Sequence, residues 1–237
     1  IYGNLRLTKV DKDYPGNKLT GAEFEVYRDT NGNKELDEGD ELLGKMEETS
    51  TGIYEMSHIL YGGVFVKETK APEGYLLDEN AYYVEITENG KIYEVENEAG
   101  IGFVNMAQTG ALRIEKTSSD GKLEGFAFRI TGANGYDETF VTDENGEIHV
   151  ELRVGDYTVS EVSNEASANY VLPADKTVTI LADKTTVAEM HNELRDTPKT
   201  GDDSKPWLWA ALMGVSAMGA VTLGVIGLKK RKKEDAE

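Results

Sequence analysis

Lysine, glutamate and asparagine residues occur in this sequence at positions where a β-strand would turn its side chains toward the core. Along a strand, side chains point alternately to opposite faces, so Lys116 shares a face with Leu112 and Ile114. The same alternation sends one lysine, one glutamate and one asparagine to the apolar side in each half of the chain. These residues are Lys9, Glu68 and Asn105 in the first half, and Lys116, Glu161 and Asn192 in the second. A strand edge or strand end would explain one such residue, but not six in matching order.

These three residue types can react with one another when they are removed from water. A lone buried charge costs several kcal/mol, so the groups must pair or become neutral. Burial lowers the pKa of a lysine and raises that of a glutamate. The neutral amine is then a nucleophile, while a protonated glutamate can donate to the asparagine carbonyl oxygen and transfer protons as ammonia leaves. We therefore predict an intramolecular amide between lysine and asparagine in each half, which joins the first strand to the last.

The segments that carry these residues have the alternating pattern of β-strands. Runs such as LRLTKV, AEFEVYR, VFVKET, ALRIEKT and YTVSEV are separated by turn dipeptides such as NG, DG and GD. The chain also repeats itself, because LRLTKVDKDYPGNKLTGAEFEVY parallels LRIEKTSSDGKLEGFAFRI, and GIGFVNM parallels VAEMHNE. We predict an all-β fold of two tandem β-sandwiches, residues 1–108 and 109–194.

Two longer segments carry a resemblance to a known family. VKETKAPEGYLLD, residues 66–78, and TDENGEIHVELRVGDYTVSEV, residues 142–162, resemble the pilin and collagen-adhesin B-type domains of Gram-positive surface proteins, which are SpaA-like, prealbumin-like sandwiches. The resemblance covers roughly residues 3–193. It implies that a Lys–Asn isopeptide bond forms spontaneously in each domain with the help of a glutamate. The implied bonds join Lys9 to Asn105 near Glu68, and Lys116 to Asn192 near Glu161. The second repeat departs from the pattern after its glutamate, where VSNEASANY replaces TKAPEGY.

The end of the chain is typical of a membrane stop. Residues 207–228 carry no charge, and as a helix rising about 1.5 Å per residue they would span roughly 33 Å, enough to cross a bilayer core. Two tryptophans stand at one end of this segment, and the basic run KKRKK follows at the other. We predict a single C-terminal transmembrane helix at residues 207–228 and a cytoplasmic basic tail at residues 229–237. A buried core helix is the alternative interpretation.

The segment before the apolar span, residues 195–206, resembles a cell-wall sorting signal. Its motif residues are Thr197, Pro198, Lys199, Thr200 and Gly201. In proteins with this signal a membrane sortase cleaves between the threonine and the glycine, and it joins the new carboxyl to an amine of a peptidoglycan precursor or of a pilus subunit. The commonest form of the motif has leucine where this chain has Thr197, which bears on the class of sortase. An ordinary juxtamembrane linker is the alternative.

An acidic loop between the first strands resembles a calcium-binding loop. Residues 29–40, DTNGNKELDEGD, place oxygen-bearing side chains at positions one, three, five, seven, nine and twelve. These residues are Asp29, Asn31, Asn33, Glu35, Asp37 and Asp40. Lys34 stands where an EF-hand loop has glycine, and an acidic, solvated hairpin is the alternative. Apart from calcium at this loop, we expect no cofactor.

The composition narrows the class of protein. The 237 residues carry a formal net charge of −19, which argues against nucleic acid as a partner, and the absence of cysteine excludes disulfides and thiolate metal sites. Because Ile1 is not an initiator residue, we expect the chain to be the C-terminal piece of a longer protein.

Together these features predict the structural stalk and wall-anchoring region of a Gram-positive surface protein or minor pilin. The expected location is the cell wall, with the C-terminal helix in the plasma membrane before sorting. The expected partners are a sortase and the acceptor that it uses, and the only reaction expected of the chain itself is the single-turnover crosslinking. Two alternatives are an adhesin whose sandwiches bind a host ligand directly, and the anchor of an extracellular enzyme located upstream.

Overall fold

Alternating apolar and polar residues form strands throughout the part of the chain that the structure describes. That structure is a computed structural model, and it describes residues 1–132 and 135–196. The first half contains strands β1 (Tyr2–Asp11), β2 (Glu23–Arg28), β3 (Glu41–Lys45), β4 (Glu47–Ser50), β5 (Ile53–Leu60), β6 (Gly62–Lys70), β7 (Ala81–Ile86), β8 (Ile92–Glu94) and β9 (Phe103–Asn105). The second half contains β10 (Thr109–Ser118), β11 (Ala127–Gly132), β12 (Asp137–Val141), β13 (Glu147–Arg153), β14 (Gly155–Val162), β15 (Tyr170–Val171), β16 (Lys176–Ile180) and β17 (Thr185–Leu194).

Each half folds into two facing sheets. In the first half, one sheet has the order β4-β5-β1-β8, with β9 also paired to β1, and the other has the order β3-β2-β6-β7. In the second half the orders are β13-β10-β17-β15 and β12-β11-β14-β16. The prediction of an all-β fold with two tandem sandwiches is confirmed. The predicted transmembrane helix lies outside the described residues, and within residues 1–132 and 135–196 no helix is long and apolar enough to cross a membrane.

The first and last strands of each sandwich lie side by side and run parallel. In the second sandwich, β17 pairs with β10 without interruption from Ala111 to Ser118. In the first sandwich the last strand is divided, because β8 and β9 both pair with β1 while residues 95–102 leave the sheet between them. Parallel neighbours need a long crossover connection, and here nearly the whole sandwich is that connection.

The cores follow from strand alternation. Along β10 every second side chain is buried, including Leu112 and Ile114, while the intervening residues face outward. In the first sandwich the rings of Phe24 and Phe103 meet edge to face, with their centroids 5.0 Å apart. Each sandwich therefore has its own apolar core, and any polar group on the inner face must find a partner there.

An ion pair joins the two sandwiches, which together form one compact unit, Ile1–Leu194. The Asp11 side chain at the end of β1 is fully buried and accepts hydrogen bonds from both terminal nitrogens of Arg153, at the end of β13. Arg153 also donates to Asp13 at 2.7 Å, while the Tyr75 hydroxyl donates to Asp11 at 2.8 Å. Several donors thus surround one buried carboxylate.

These donors determine the ionisation of Asp11. Burial alone would raise its pKa, but the hydrogen bonds from Arg153, Tyr75 and the backbone of Asp13 and Tyr14 outweigh burial and lower the pKa to about 2. The pKa of an aspartate in the unfolded chain is about 3.9. The stabilisation from ionised Asp11 is therefore fully present above about pH 4 and is lost as the pH falls toward 2.

We predict that Arg153→Met lowers the free energy of unfolding by about 3 kcal/mol, because it leaves Asp11 as an uncompensated buried charge. Urea unfolding of the purified chain measures this loss. Arg129→Met is the matched control, because Arg129 also donates to an aspartate, Asp137, through two nitrogens, but both side chains are about half exposed. The control should cost less than about 1 kcal/mol. Equal losses in the two variants would contradict the assignment of Arg153 to a buried pair.

Candidate functional site

The structure buries all six polar residues that strand alternation turned inward. The exposed fractions are 0% for Lys9, Glu68 and Asn192, 2% for Lys116, 3% for Asn105 and 8% for Glu161. Ile101 precedes β9 in a turn and is 39% exposed, although strand alternation alone would place it on the same inner face as Phe103 and Asn105. The apolar face of the last strand therefore begins at Phe103.

Strand register brings each lysine close to its asparagine. In the first sandwich Lys9 is level with Phe103 across the parallel pair β1–β9, and Asn105 is two residues further along. In the second sandwich Lys116 is level with Met190 across β10–β17, and Asn192 is again two residues further along. A separation of two residues keeps the side chains on one face. Both lysine–asparagine pairs therefore occupy the same register, although the two last strands differ in length.

The first cluster has its glutamate between the other two groups. Glu68 Oε1 lies 3.6 Å from Lys9 Nζ, and Glu68 Oε2 accepts a hydrogen bond of 2.8 Å from Asn105 Nδ2. Asn105 Nδ2 also donates to the carbonyl oxygen of Leu76, and Lys9 Nζ donates to that of Phe103 at 3.1 Å. Sequence reasoning expected the glutamate to donate to the asparagine carbonyl oxygen, whereas here it accepts from the carboxamide nitrogen.

Burial shifts the pKa of the amine in this cluster. Removal from water lowers the pKa of Lys9 to about 8. The negative charges of Glu68 and Asp78 raise this pKa, but the effect of burial is larger. An amine with this pKa is partly neutral near physiological pH, which an ordinary lysine is not. The first cluster thus contains a nucleophile, a carboxylate that reaches two nitrogens, and a carboxamide.

The second cluster repeats this arrangement with a different lysine position. Asn192 Nδ2 donates to Glu161 Oε1 at 2.7 Å. Lys116 Nζ lies 3.8 Å from the centre of the Phe126 ring and donates to the Thr117 carbonyl oxygen. Among the described residues, Glu161 Oε1 accepts from Asn192 and Glu161 Oε2 accepts no hydrogen bond, so Lys116 does not bind this carboxyl group. Burial lowers the pKa of Lys116 and raises that of Glu161.

Both clusters contain buried oxygens that accept no hydrogen bond from the described residues. These atoms are Oε1 of Glu68, Oδ1 of Asn105, Oε2 of Glu161 and Oδ1 of Asn192. In each cluster one glutamate oxygen binds the carboxamide nitrogen, and the other accepts no hydrogen bond. Unsatisfied buried polar atoms are rare in folded proteins. Because the same pair of glutamate and asparagine oxygens is unsatisfied in both sandwiches, the feature belongs to the shared arrangement of the clusters and not to one loop.

Sequence reasoning missed two residues beside the first cluster. The Asp78 backbone N–H donates to Glu68 Oε2 at 2.9 Å, and Asp78 Oδ2 accepts from Asn97 Nδ2 at 2.8 Å. Both residues lie outside the strands, where the alternation rule does not apply. Asp78 is the last residue of the segment VKETKAPEGYLLD, and its place in that segment was the only feature of the sequence that could have indicated a role near Glu68.

The acidic loop between β2 and β3 uses many of its oxygens within itself. Asp29 accepts from two backbone N–H groups of the loop, and Asp37 Oδ2 accepts from the side-chain amides of Asn31 and Asn33. Within residues 1–132 and 135–196, no three His, Asp or Glu side chains are grouped so as to hold a metal ion. Calcium binding by this loop stays a prediction. The predicted sortase motif, Thr197 to Gly201, lies outside the described residues.

Comparison with known proteins gives one family and several related structures. The profile of the family described as "SpaA: Prealbumin-like fold domain" matches residues 3–99 and 110–194. No curated protein matches the chain. The Bacillus anthracis TIE protein has a similar structure, with 27% sequence identity and a TM-score of 0.61 over 81% of this chain and 34% of that one. This chain therefore spans about a third of the length of that protein.

Two further solved structures show lower similarity. One is GBS52, the minor pilin of Streptococcus agalactiae, at 18% identity and a TM-score of 0.38, covering 84% of this chain and 98% of that one. The other is a C-terminal fragment of the pilus adhesin SpaC from Lactobacillus rhamnosus GG, at 14% identity and a TM-score of 0.47, covering 84% and 99%.

We predict that Asn105→Ala, which leaves Lys9 as a free buried amine, makes stability increase with pH in the alkaline range. The pKa of Lys9 is about 8 in the fold and about 10.4 in the unfolded chain. Between these values the unfolded chain binds more protons, so the free energy of unfolding rises as the pH increases from about 8 to about 10. Urea unfolding across this range measures the slope. Adding Lys9→Met to this variant should remove the part of the slope that comes from Lys9. If the double variant has the same slope as Asn105→Ala alone, the pKa of Lys9 is not shifted by the fold.

Proposed function

This chain belongs to the family of SpaA prealbumin-like domains, as its motifs predicted, and we propose that it is the crosslinked stalk and wall-anchoring region of a Gram-positive surface protein or minor pilin. Family membership supports a structural role for the two sandwiches. The proposal goes further in two respects, namely the intramolecular isopeptide bonds and the attachment by sortase. Each of these has its own support.

The buried Lys–Glu–Asn clusters are the observation that carries the proposal of isopeptide bonds. In each sandwich the neutral lysine Nζ attacks Cγ of the asparagine and forms a new C–N bond. The bond between Cγ and Nδ2 then breaks, and Nδ2 leaves as ammonia. One proton moves from the attacking amine to the departing nitrogen, so the reaction needs no other reactant. The pairs are Lys9 with Asn105, and Lys116 with Asn192.

Glu68 is suited to carry that proton. Its Oε1 lies 3.6 Å from the lysine nitrogen. Its Oε2 accepts a hydrogen bond of 2.8 Å from Asn105 Nδ2, the nitrogen that leaves as ammonia. A carboxyl group that reaches both nitrogens can accept a proton on one side and return it on the other. Glu161 binds the departing nitrogen of Asn192 in the same way, and burial raises the pKa of Glu161, which favours proton uptake.

The position of the bonds explains their value in a stalk. The chain enters the first sandwich along β1 and leaves it after β9, so a pulling force would pass from residue 1 to Lys9, across the bond, and out after Asn105. Residues 10–104 would then carry none of the load. The same holds in the second sandwich for the residues between Lys116 and Asn192. Closing loops of this length also adds roughly 4–5 kcal/mol of stability by loop-entropy arguments.

The sequence supports attachment to the cell wall. A proline-containing motif ending in Thr200–Gly201, a short polar spacer, an uncharged span and a basic tail follow one another in the order of a sorting signal. Sortase would cleave between Thr200 and Gly201 and transfer the carboxyl of Thr200 to a peptidoglycan precursor or a pilus subunit. The crosslinked sandwiches would then stand directly on the covalent anchor.

We predict that the purified chain is lighter than its sequence mass by two ammonia molecules, because each cluster loses one. Intact-mass spectrometry measures this difference, and peptide mapping locates the bonds. Glu68→Ala and Glu161→Ala should each restore one ammonia mass, in the sandwich that carries the substitution.

The matched control is Glu25→Ala, because Glu25 lies on a strand of the first sandwich but contacts Tyr27 and neither cluster. This variant should keep both bonds. A wild-type chain at its full sequence mass would remove the isopeptide bonds from the proposal.

We also predict that Thr200→Ala prevents wall attachment in a Gram-positive host, because the cleavage site is lost. Digestion of the wall with muramidase should release the wild-type chain, whereas the variant should stay with the membrane fraction. Thr177→Ala, an exposed position on β16, is the control and should behave as wild type. Wall release of the Thr200 variant equal to wild type would contradict sorting at this site.

A further inference from the structure

The last strand of the first sandwich is too short to hold its asparagine by strand pairing alone. β9 contains Phe103–Asn105 and pairs with β1. By contrast, β17 is ten residues long and lies between β10 and β15. Asn192 therefore stands on a long, continuous strand, whereas Asn105 ends a strand of three residues. On the outer side of β9 the Leu76 N–H binds the carbonyl oxygen of Met106, but the backbone groups of Val104 need another partner.

The side chain of Asn97 supplies that partner. Its Oδ1 accepts the backbone N–H of Val104 at 2.6 Å, and its Nδ2 donates to the Val104 carbonyl oxygen at 2.9 Å. These are the two bonds that a neighbouring strand would make. Asn97 thus takes the place of a strand at the residue next to Asn105.

Asp78 connects Asn97 to the reacting groups. Its Oδ2 accepts from Asn97 Nδ2 at 2.8 Å and from the Tyr82 hydroxyl at 2.6 Å, and its backbone N–H donates to Glu68 Oε2 at 2.9 Å. Glu68 Oε2 in turn accepts from Asn105 Nδ2. The contacts form a closed path from Asn97 through Asp78 and Glu68 to Asn105, and back along the backbone of β9.

We propose that Asn97, held by Asp78, is a positioning residue that presents Asn105 to Lys9 for bond formation in the first sandwich only. This rests on the isopeptide chemistry of the proposed function. Asn97 does not touch Lys9 and takes no proton; it acts by fixing the backbone of β9. The second sandwich needs no such residue, because β17 is continuous and pairs with β10 without interruption up to Asn192.

Asp78 has a second effect, on the charge of the amine. Although burial opposes it, hydrogen bonds from the Tyr82 hydroxyl and from two asparagine side chains lower the pKa of Asp78, so the group stays ionised. The charged groups that act on Lys9 are Glu68 of β6 and Asp78, and both raise the pKa of Lys9 against the effect of burial. Asp78→Asn keeps an oxygen that can accept hydrogen bonds but removes the charge, so it separates positioning from electrostatics.

The test measures the two bonds separately in the same molecules. The full chain is synthesised in a cell-free system, samples are quenched over time, and the crosslinked peptides of Lys9–Asn105 and Lys116–Asn192 are quantified by mass spectrometry. Asn97→Ala should slow the first bond on the order of tenfold to a hundredfold, because a displacement of about 1 Å costs this much. The second bond should form at the wild-type rate in the same sample.

Asn89→Ala is the matched control, because Asn89 also bonds to backbone through its side chain, accepting the N–H of Tyr2, but at the other end of β1. It should leave both bonds unchanged. Asp78→Ala should slow the first bond, whereas Asp78→Asn should preserve it and shift its rate–pH profile toward lower pH, since the pKa of Lys9 falls. A residue with a merely structural role would not move that profile.

Each result has one meaning. If Asn97→Ala forms the first bond at the wild-type rate, the positioning role is wrong while the isopeptide chemistry stands. If the wild-type chain forms neither bond, the proposed function fails and the inference with it. Hydrogen exchange of the first core reports whether Asn97→Ala is folded. If Asn97→Ala does not fold, Asn97→Asp is used instead. This variant keeps an oxygen that accepts the Val104 N–H but loses the nitrogen that donates to the Val104 carbonyl oxygen, so it should also slow formation of the first bond.

Discussion

The seam between the first and last strands, where polar groups are forced into a dry interior, is the constraint on which the rest of the structure depends. Parallel pairing of β1 with β9, and of β10 with β17, puts an amine and a carboxamide on the same buried face. Burial disfavours the charge on the amine and lowers its pKa, which makes it a nucleophile. In an ordinary core such groups would destabilise the fold. The isopeptide bonds that we propose would remove this cost by consuming the amine and the carboxamide.

The two sandwiches satisfy this constraint in different ways, and the difference shows which features matter. The register of lysine and asparagine is the same in both, although one last strand is continuous and the other is divided by residues 95–102. The split strand loses neighbours, and side-chain contacts from Asn97 and Asp78 take their place. What is kept is the register of lysine and asparagine and the hydrogen bond from the carboxamide to the glutamate. The means of holding it there varies.

Strand alternation predicted much of the fold and the inward position of all six cluster residues, because their types conflict with the apolar face that they share. It could not find Asn97 or Asp78, which lie in connections where side-chain direction follows turn geometry instead of a period of two. The burial of Asp11 was equally hidden, because its partner Arg153 is distant in sequence and belongs to the other sandwich. Strands β3, β4 and β8 could not be predicted for a related reason, because such short strands contain too few alternating residues to show a pattern.

The junction between the sandwiches continues the path along which a pulling force would travel. Asp11 is level with Asn105 in the β1–β9 pair, so it lies beside the point where a pulling force would leave the first crosslink. Arg153 is level with Thr109 in the β10–β13 pair, at the first residue of the strand along which the force would enter the second sandwich. The Asp11–Arg153 pair thus bridges the same interval as residues 106–108. A stalk stiffened inside each sandwich would still bend at a free linker, and the Asp11–Arg153 ion pair beside the linker would resist that bending. If the proposed bonds form, stiffness within the sandwiches and between them would come from polar groups that are withdrawn from water.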